Sequence, residues 1–528
     1  MNANRQDKTY GLAVYLAIAI LSAVTVILCF TNPRVWMGLG KAVAIEPTKP
    51  NIVVIMTDDL TVGQLNLAVR QGWMPNLKQY VIDRGTTFTK SFVSDSLCCP
   101  SRSTFLTGQY PHNHGVLDNE LPIGGVTKLD DSSTLATGLQ KAGYRTGHVG
   151  KYLNGYGEDK VKDNPTDDPT YVPPGWNHWQ ATVGPTTYKM YDYIINDNGN
   201  LIQYGSQPSD YQTDVLAMRS VRFINESEIV NDVQPFFLVI TPLAPHFEAG
   251  QGRYQMNYGF QSTVRPAPRH QGSASNILLP RAFSFNEQDV SDKPSWLKNS
   301  FPGLSAENIE NIQKIYRDRL DSLRAVDDLV GSVVSALETN QELDNTAIFF
   351  TSDNGYTLGE HRLWQKMYPY EEAIRVPLLI RVPDNLARRI SDRFVLNNDL
   401  APTIVELAGA VPEIEMDGRS LIPLLRKPNL PNWRKRFLIE HWNGRQFPVL
   451  PTYTAVRTSS AATQTPNQLY VQYEGGEREF YDLTSDPSQL QSLHDRGGKP
   501  ALQVKILQFW LNKLMQCKGK SCQTLEDL

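Results

Sequence analysis

Asn51-Ile52-Val53-Val54-Ile55-Met56-Thr57-Asp58-Asp59 is an apolar run that stops abruptly on two adjacent carboxylates. A short, unalternating run of this kind reads as a strand buried on both faces of a parallel sheet. Open α/β sheets bind ligands beyond the carboxyl ends of their strands, which is where Asp58 and Asp59 fall. A helix cap accounts for one aspartate, but adjacent carboxylates repel and usually need a cation. Two further runs end in the same way. Phe236 to Ile240 empties into Thr241-Pro242-Leu243-Ala244-Pro245-His246, and Thr346 to Phe350 into Thr351-Ser352-Asp353-Asn354-Gly355. One sheet would gather these ends at a single edge, so the expected fold class is α/β.

Between the last two runs, Ala306 to Thr339 keeps Ile309, Ile312, Ile315, Leu320, Leu323 and Val326 at helical spacing, which predicts a packing helix with no chemistry of its own. Arg145 to Tyr156 reads as a short strand and turn carrying His148 and Lys151. Val161 to Pro174 reads as a surface loop, and Arg253 to Ser291 as a long irregular insertion that could shape a cleft. Ile380 to Pro383 closes another strand and Asn398 to Ile404 opens a helix. From Pro428 the pattern changes to strands at Tyr453 to Ser459, Leu469 to Tyr473 and Glu479 to Leu483, then an amphipathic helix from Ala501 to Met515. This predicts a small antiparallel sheet packed on the main domain. The expected organisation is 1–46 as a targeting segment and linker, 47–427 as the catalytic domain and 428–528 as a C-terminal subdomain.

A chain of 528 residues can bury a large core, and its 51 Lys and Arg against 55 Asp and Glu give a net charge of −4, which does not argue for nucleic acid as a partner. Arg5 and Lys8 precede an uncharged run from Tyr10 to Phe30, long enough to cross a bilayer. The nearest small-x-small site, Ala42-Val43-Ala44, lies well beyond that run, which favours a retained signal anchor over a cleaved signal peptide. Either outcome exports the rest of the chain to the periplasm, the extracellular space or the outer side of a membrane, although Arg34 and Lys41 weaken the positive-inside argument. Of the five cysteines, Cys517 and Cys522 enclose a short loop suited to a disulfide in an oxidising compartment, and no spacing resembles a zinc site. Asn225-Glu226-Ser227 fits a glycosylation acceptor.

The remaining distinctive stretch runs from Ser96 through Leu97-Cys98-Cys99-Pro100-Ser101-Arg102 to Gly108. Pro100 suits the first turn of a helix, with Ser103 to Leu106 beginning one whose free N–H groups point back at the cysteines. Such a terminus and Arg102 would activate the Cys98 thiol, whereas free cysteines are also among the most commonly buried packing residues. Spacing alone leaves both readings open. Cys98-Cys99-Pro100-Ser101-Arg102, followed by Leu106-Thr107-Gly108, resembles the C-x-P-S-R signature of type I, formylglycine-dependent sulfatases. Thr107 to His112, Asp417-Gly418-Arg419-Ser420-Leu421 and Phe480-Tyr481-Asp482-Leu483 followed by Asp486-Pro487 extend the resemblance over most of the chain.

The resemblance implies an alkaline-phosphatase-like large mixed sheet flanked by helices, a small C-terminal antiparallel-sheet subdomain, and hydrolysis of a sulfuric ester. It implies that a formylglycine-generating enzyme oxidises Cys98, whose hydrated aldehyde attacks sulfur. Asp58, Asp59, Asp353, Asn354 and the modified Cys98 would ligate Ca2+, with Mg2+ the alternative for the same oxygen donors. Arg102 would hold the hydrate, Lys151 and Lys366 would stabilise charge on the sulfate, and His246 or Lys366 would assist the leaving oxygen as general acid. Leu153 stands where many sulfatases carry a histidine, and either Asn154 or His148 is the candidate to substitute for it. Gly150-Lys151-Tyr152-Leu153-Asn154 is instead similar to the branch of N-acetylglucosamine-6-sulfatases and extracellular heparan 6-O-endosulfatases. The expected substrate is a sulfated saccharide, N-acetylglucosamine-6-sulfate-like, or an aryl sulfate. Rival readings are a phosphomonoester or phosphonate ester hydrolase of the same superfamily and a catalytically silent, metal-stabilised ectodomain. His112, His114 and His361 read equally as hydrogen-bonded structural histidines.

Overall fold

In a computed structural model, residues 49–158, 165–231, 233–248, 264–383, 387–444, 449–460 and 465–528 are described. The apolar run Tyr10 to Phe30, and parts of the expected loops at 161–174 and 253–291, lie outside them. Among the described residues no helix is long and apolar enough to cross a membrane.

Ten strands make the main sheet: β1 (Asn51–Thr57), β2 (Thr86–Phe88), β3 (Arg145–Gly150), β4 (His178–Thr182), β5 (Ile194–Asp197), β6 (Asn200–Gln203), β7 (Phe236–Thr241), β8 (Thr346–Ser352), β9 (Leu378–Arg381) and β10 (Arg389–Ser391). Their order is β10-β2-β9-β8-β1-β7-β3-β4-β5-β6. The centre, β8 to β4, is parallel, while β9 and β5 run against it and β6 turns back along it, so the sheet is mixed as the resemblance implies.

The lack of alternation in β1 has a simple cause, because both of its faces are covered. Val53 and Ile55 enter one apolar core with Val215, Leu216, Ile312 and Leu323, and Ile52, Val54 and Met56 enter the other with Phe105, Leu106, Leu400 and Ile404. Helices α1 (Cys98–Thr107), α2 (Gln212–Asn231), α3 (Ala306–Thr339) and α4 (Leu400–Ala408) supply those residues. Ser305 caps α3, accepting the backbone N–H of Asn308 at 3.1 Å.

A second, four-stranded antiparallel sheet follows: β11 (Arg436–His441), β12 (Tyr453–Ser460), β13 (Thr465–Tyr473) and β14 (Arg478–Asp482), paired in chain order. Its core takes Val504, Leu507, Leu511 and Leu514 from α5 (Lys499–Leu514), and also Phe92, Leu97 and Tyr110 from the segments around α1. A disulfide joins Cys517, just after α5, to Cys522 in α6 (Lys520–Asp527), and α6 delivers the buried Glu526 to Arg434. Closing so short a loop constrains the unfolded chain only modestly, so replacing both cysteines with serine is expected to cost about 2 kcal/mol. Urea unfolding at constant m would measure this, and an unchanged midpoint would contradict it.

Candidate active site

Strands β8, β1, β7 and β3 run parallel and in close register, with Thr57 beside Ser352 and Gly150 beside Thr241, so the residues that follow them emerge at one edge. Gly150 lies at φ +117°, and a Cβ there would stand 2.3 Å from the Thr241 carbonyl oxygen, so only glycine brings the strands this close. The next residue, Lys151, donates its ammonium to Asp58 Oδ2 at 2.5 Å. Asp59 adopts φ +65°, an uncommon conformation for a residue other than glycine. Its Oδ1 accepts from Asn354 Nδ2 at 2.6 Å and from Lys366 Nζ at 2.5 Å. Asp353 Oδ1 accepts the backbone N–H groups of Asp59 at 3.1 Å and of Asn354 at 2.8 Å.

Helix α1 begins at Cys98 itself, earlier than expected, with Pro100 inside its first turn. Cys98, Ser101 and Arg102 therefore share one face at spacings of three and four residues. Ser101 donates to the Asp353 carbonyl, Arg102 Nε to Asp353 Oδ2 at 2.9 Å, and Arg102 Nη1 to the Lys151 carbonyl at 2.9 Å. The Cys98 thiol lies 3.7 Å from Asp58 Oδ1 and 2.6 Å from Lys366 Nζ. Ligand atoms of Asp58, Asp59, Cys98 and His246 fall within 4.8 Å of one another. Asp59 Oδ2, 3.4 Å from His246 Nε2, and Asn354 Oδ1 are buried without a hydrogen-bond partner. Unpartnered buried oxygens beside adjacent carboxylates are the donor set that suits a hard divalent cation.

Burial opposes ionisation of both aspartates, yet Lys151, His246 and Arg102 hold the Asp58 carboxyl below its ordinary range, and Lys366 and His246 do so for Asp59. The reciprocal holds for the amines. Burial would discharge Lys366 and Lys151, but Asp59 and Asp58 respectively keep their proton affinities above the ordinary lysine value. Burial pushes the Cys98 thiol up to about 12, against the pull of Lys151 and Lys366. A thiol that burial holds neutral is a weak nucleophile.

The profile of the Sulfatase family matches residues 50–410. This chain belongs to the sulfatase family. Residues 359–516 also match the profile described as N-sulphoglucosamine sulphohydrolase, C-terminal. The sulfatase is 34% identical to N-acetylglucosamine-6-sulfatase of Homo sapiens over 518 residues, 91% of this chain and 87% of that one. It is 35% identical to the putative extracellular sulfatase Sulf-1 homolog of Caenorhabditis elegans, over 74% of this chain and 52% of that one. A solved structure in complex with D-glucosamine-2-N,6-O-disulfate superposes with a TM-score of 0.71 at 24% identity, covering 91% of this chain and 99% of that one. The sulfatase is thus a sulfuric ester hydrolase with the alkaline-phosphatase-like fold.

The sulfatase brings Cys98, Arg102, Lys151, His246 and Lys366 together with Asp58, Asp59, Asp353 and Asn354, all buried. The other histidines lie elsewhere: His112 on Glu440 at 2.9 Å, His114 on Thr104 at 3.0 Å and His361 on Glu287 at 2.7 Å. Burial lowers the His112 proton affinity, but the Glu440 hydrogen bond raises it more, to about 9. Leu153 is core. His148 stacks on Trp179 at 4.7 Å, and burial pushes it down to about 3. Asn154 reaches the site indirectly, donating to the Tyr188 hydroxyl at 2.7 Å. The Tyr188 ring lies 4.6 Å from Lys151 Nζ and 4.9 Å from the His246 ring, a contact that nothing in the sequence around Tyr188 announces.

Arg319 comes to the site from the packing helix α3. The residue is 1% exposed, and its guanidinium donates to the carbonyls of Asp59 and Pro245 and to Gln64 Oε1, tying the loops that present Asp59 and His246. A group that orients ligating residues typically contributes 10- to 100-fold to metal affinity or activity, so Arg319→Met is expected to lower both by about 30-fold. Calorimetric titration with Ca2+ beside steady-state kinetics tests this; wild-type affinity in the variant would contradict it.

Proposed function

We propose that this sulfatase removes sulfate from a sulfated saccharide of the N-acetylglucosamine-6-sulfate type. The observation that carries the reading is the gathering of every expected site residue around Cys98, in a chain whose 34% identity with an N-acetylglucosamine-6-sulfatase covers 91% of its length. In this reading a formylglycine-generating enzyme converts Cys98, and the position of Sγ marks where the hydrate oxygens stand. The neutral, buried thiol fits a residue awaiting modification.

Asp58, Asp59, Asp353 and Asn354, with residue 98, are the set to hold Ca2+, and Mg2+ uses the same donors. When bound, the ion supplies Lewis-acid polarisation of the sulfuryl oxygens. Arg102 and Lys366 fix residue 98, and Lys151 and Lys366 stabilise negative charge on the sulfate. His246 or Lys366 is the proton donor for the departing alkoxide. Lys151, Lys366 and Arg102 already balance Asp58, Asp59 and Asp353, so a bound dication leaves a positive site that favours a sulfate monoester. The run Tyr10 to Phe30 is proposed as a signal anchor that tethers the enzyme to a membrane, facing outside the cytoplasm.

Peptide mass spectrometry across Ser96 to Arg102, on protein made with a formylglycine-generating enzyme, is the test, paired with sulfate release from N-acetylglucosamine 6-sulfate. An aldehyde or its hydrate at position 98 together with released sulfate is expected. A plain thiol in fully active protein would defeat the proposal.

A further inference from the structure

Three residues before Cys98, the carboxyl of Asp95 is 0% exposed, and neither of its oxygens has a hydrogen-bond partner. His441, at the end of β11, is 2% exposed, and neither ring nitrogen has one. The two side chains face each other, with His441 Nδ1 4.0 Å from Asp95 Oδ1. Native interiors seldom leave even one such group unsatisfied. Here four polar atoms from segments far apart in sequence share the lapse.

Their setting ties them to the catalytic residues. The Glu440 N–H donates to the Ser94 carbonyl at 2.8 Å, and the Met367 N–H, next to Lys366, donates to the Ser96 carbonyl at 3.1 Å. Tyr453 packs its ring 5.4 Å from that of His441 and donates its hydroxyl to the Met367 carbonyl at 2.7 Å. The pair therefore lies where the loop entering Cys98, the loop carrying Lys366 and the C-terminal sheet meet.

From this placement we infer that Asp95 and His441 form a subsite for the hydroxyl groups of the substrate's sugar ring; the inference rests on the saccharide-sulfatase reading above. A carboxyl and an imidazole together accept and donate, which is what neighbouring ring hydroxyls require. A metal is disfavoured, because among the described residues the single cluster of three or more ligating side chains is the one at Asp58. The sulfate is disfavoured as well, since burial, Glu440 and Asp118 surround Asp95 with an environment hostile to further negative charge. Glu440 is itself committed to His112 through both oxygens at 2.9 Å. The anionic end of the substrate thus goes to Arg102, Lys151 and Lys366, and its neutral ring to Asp95 and His441.

The test compares Asp95→Asn and His441→Gln with the parent, as full-length converted enzyme, on N-acetylglucosamine 6-sulfate and on methylumbelliferyl sulfate, an aryl ester without ring hydroxyls. A lost hydrogen bond to a substrate hydroxyl should lower the saccharide-to-aryl ratio of kcat/KM by about 30-fold, mostly through KM. N-acetylglucosamine should also inhibit aryl sulfate hydrolysis by the parent more strongly than by either variant. A ratio within about three-fold of the parent's, whether both activities fall together or neither does, overturns the inference and leaves the proposed function standing. Parent enzyme that cleaves neither ester defeats the function itself and the subsite with it. Thermal unfolding of each variant identifies loss of fold.

Discussion

Cys98→Ser is expected to fold as the parent does and to lose turnover by at least about a thousand-fold, the loss typical when a nucleophile is removed from an otherwise intact site. Serine fits the space of cysteine, and the neighbours at that position, Lys366 and Asp58, can bond to a hydroxyl as they do to the thiol. What serine lacks is the convertible thiol and the second oxygen of a hydrate. The unconverted parent should be equally silent. Burial pushes the Cys98 thiol up to about 12, so at pH 8 only about one molecule in ten thousand carries a thiolate. The sign follows from the direction of the shift: the neutral form dominates throughout the physiological range, and thiolate appears only as the pH climbs towards 12. Iodoacetamide labelling of unconverted Cys98 should therefore be slow at pH 8 and rise about tenfold per pH unit. A Cys98→Ser enzyme within tenfold of the parent, with its unfolding temperature unchanged, would remove residue 98 from the chemistry.

The site was legible in sequence where chemistry follows directly from a strand. Asp58 and Asp59 after β1, His246 after β7 and Asp353-Asn354 after β8 could be grouped because parallel strands deliver their carboxyl ends to one edge. Residues placed by distant packing were not legible. Tyr188 touches Lys151 and His246 only because its loop folds over them, and Asp95 meets His441 only because β11 packs beside the entry to α1. Strand β11 escaped notice because Phe437, Leu438 and Ile439 are flanked by Arg434, Lys435, Arg436 and Glu440. Such charges are rarely buried, yet Arg434 is satisfied by Asp399 and Glu526. Arg319 did leave a signal. Ile312, Ile315, Arg319, Leu323 and Val326 step by three and four residues, so a charged side chain sits on the stripe that the helix buries. A lone arginine on an apolar stripe needs a partner, and the backbone at Asp59 and Pro245 is that partner.

Removing the divalent ion should weaken the fold without dissolving it, and Asp59→Asn should make the protein indifferent to the ion. Asp58 and Asp59 are both 0% exposed, and two adjacent buried carboxylates would be costly if uncompensated. They are not uncompensated: Lys151 pairs with Asp58, Lys366 with Asp59 and Arg102 with Asp353. The ion-free protein therefore retains a neutral site and should still unfold cooperatively. Adding an ion at about a thousand times its Kd stabilises a folded-state site by about 4 kcal/mol, so chelation should lower the unfolding temperature measurably. In Asp59→Asn the carboxylate with the unpartnered Oδ2 is gone and Lys366 loses its counter-charge. The expected results are no calcium-dependent shift in unfolding temperature and a fall in turnover of about a hundred-fold or more. Titration calorimetry decides the point independently of activity. If Asp59→Asn bound Ca2+ as tightly as the parent, Asp59 would not be a ligand, and the cation would have to be held by the other oxygens of this edge.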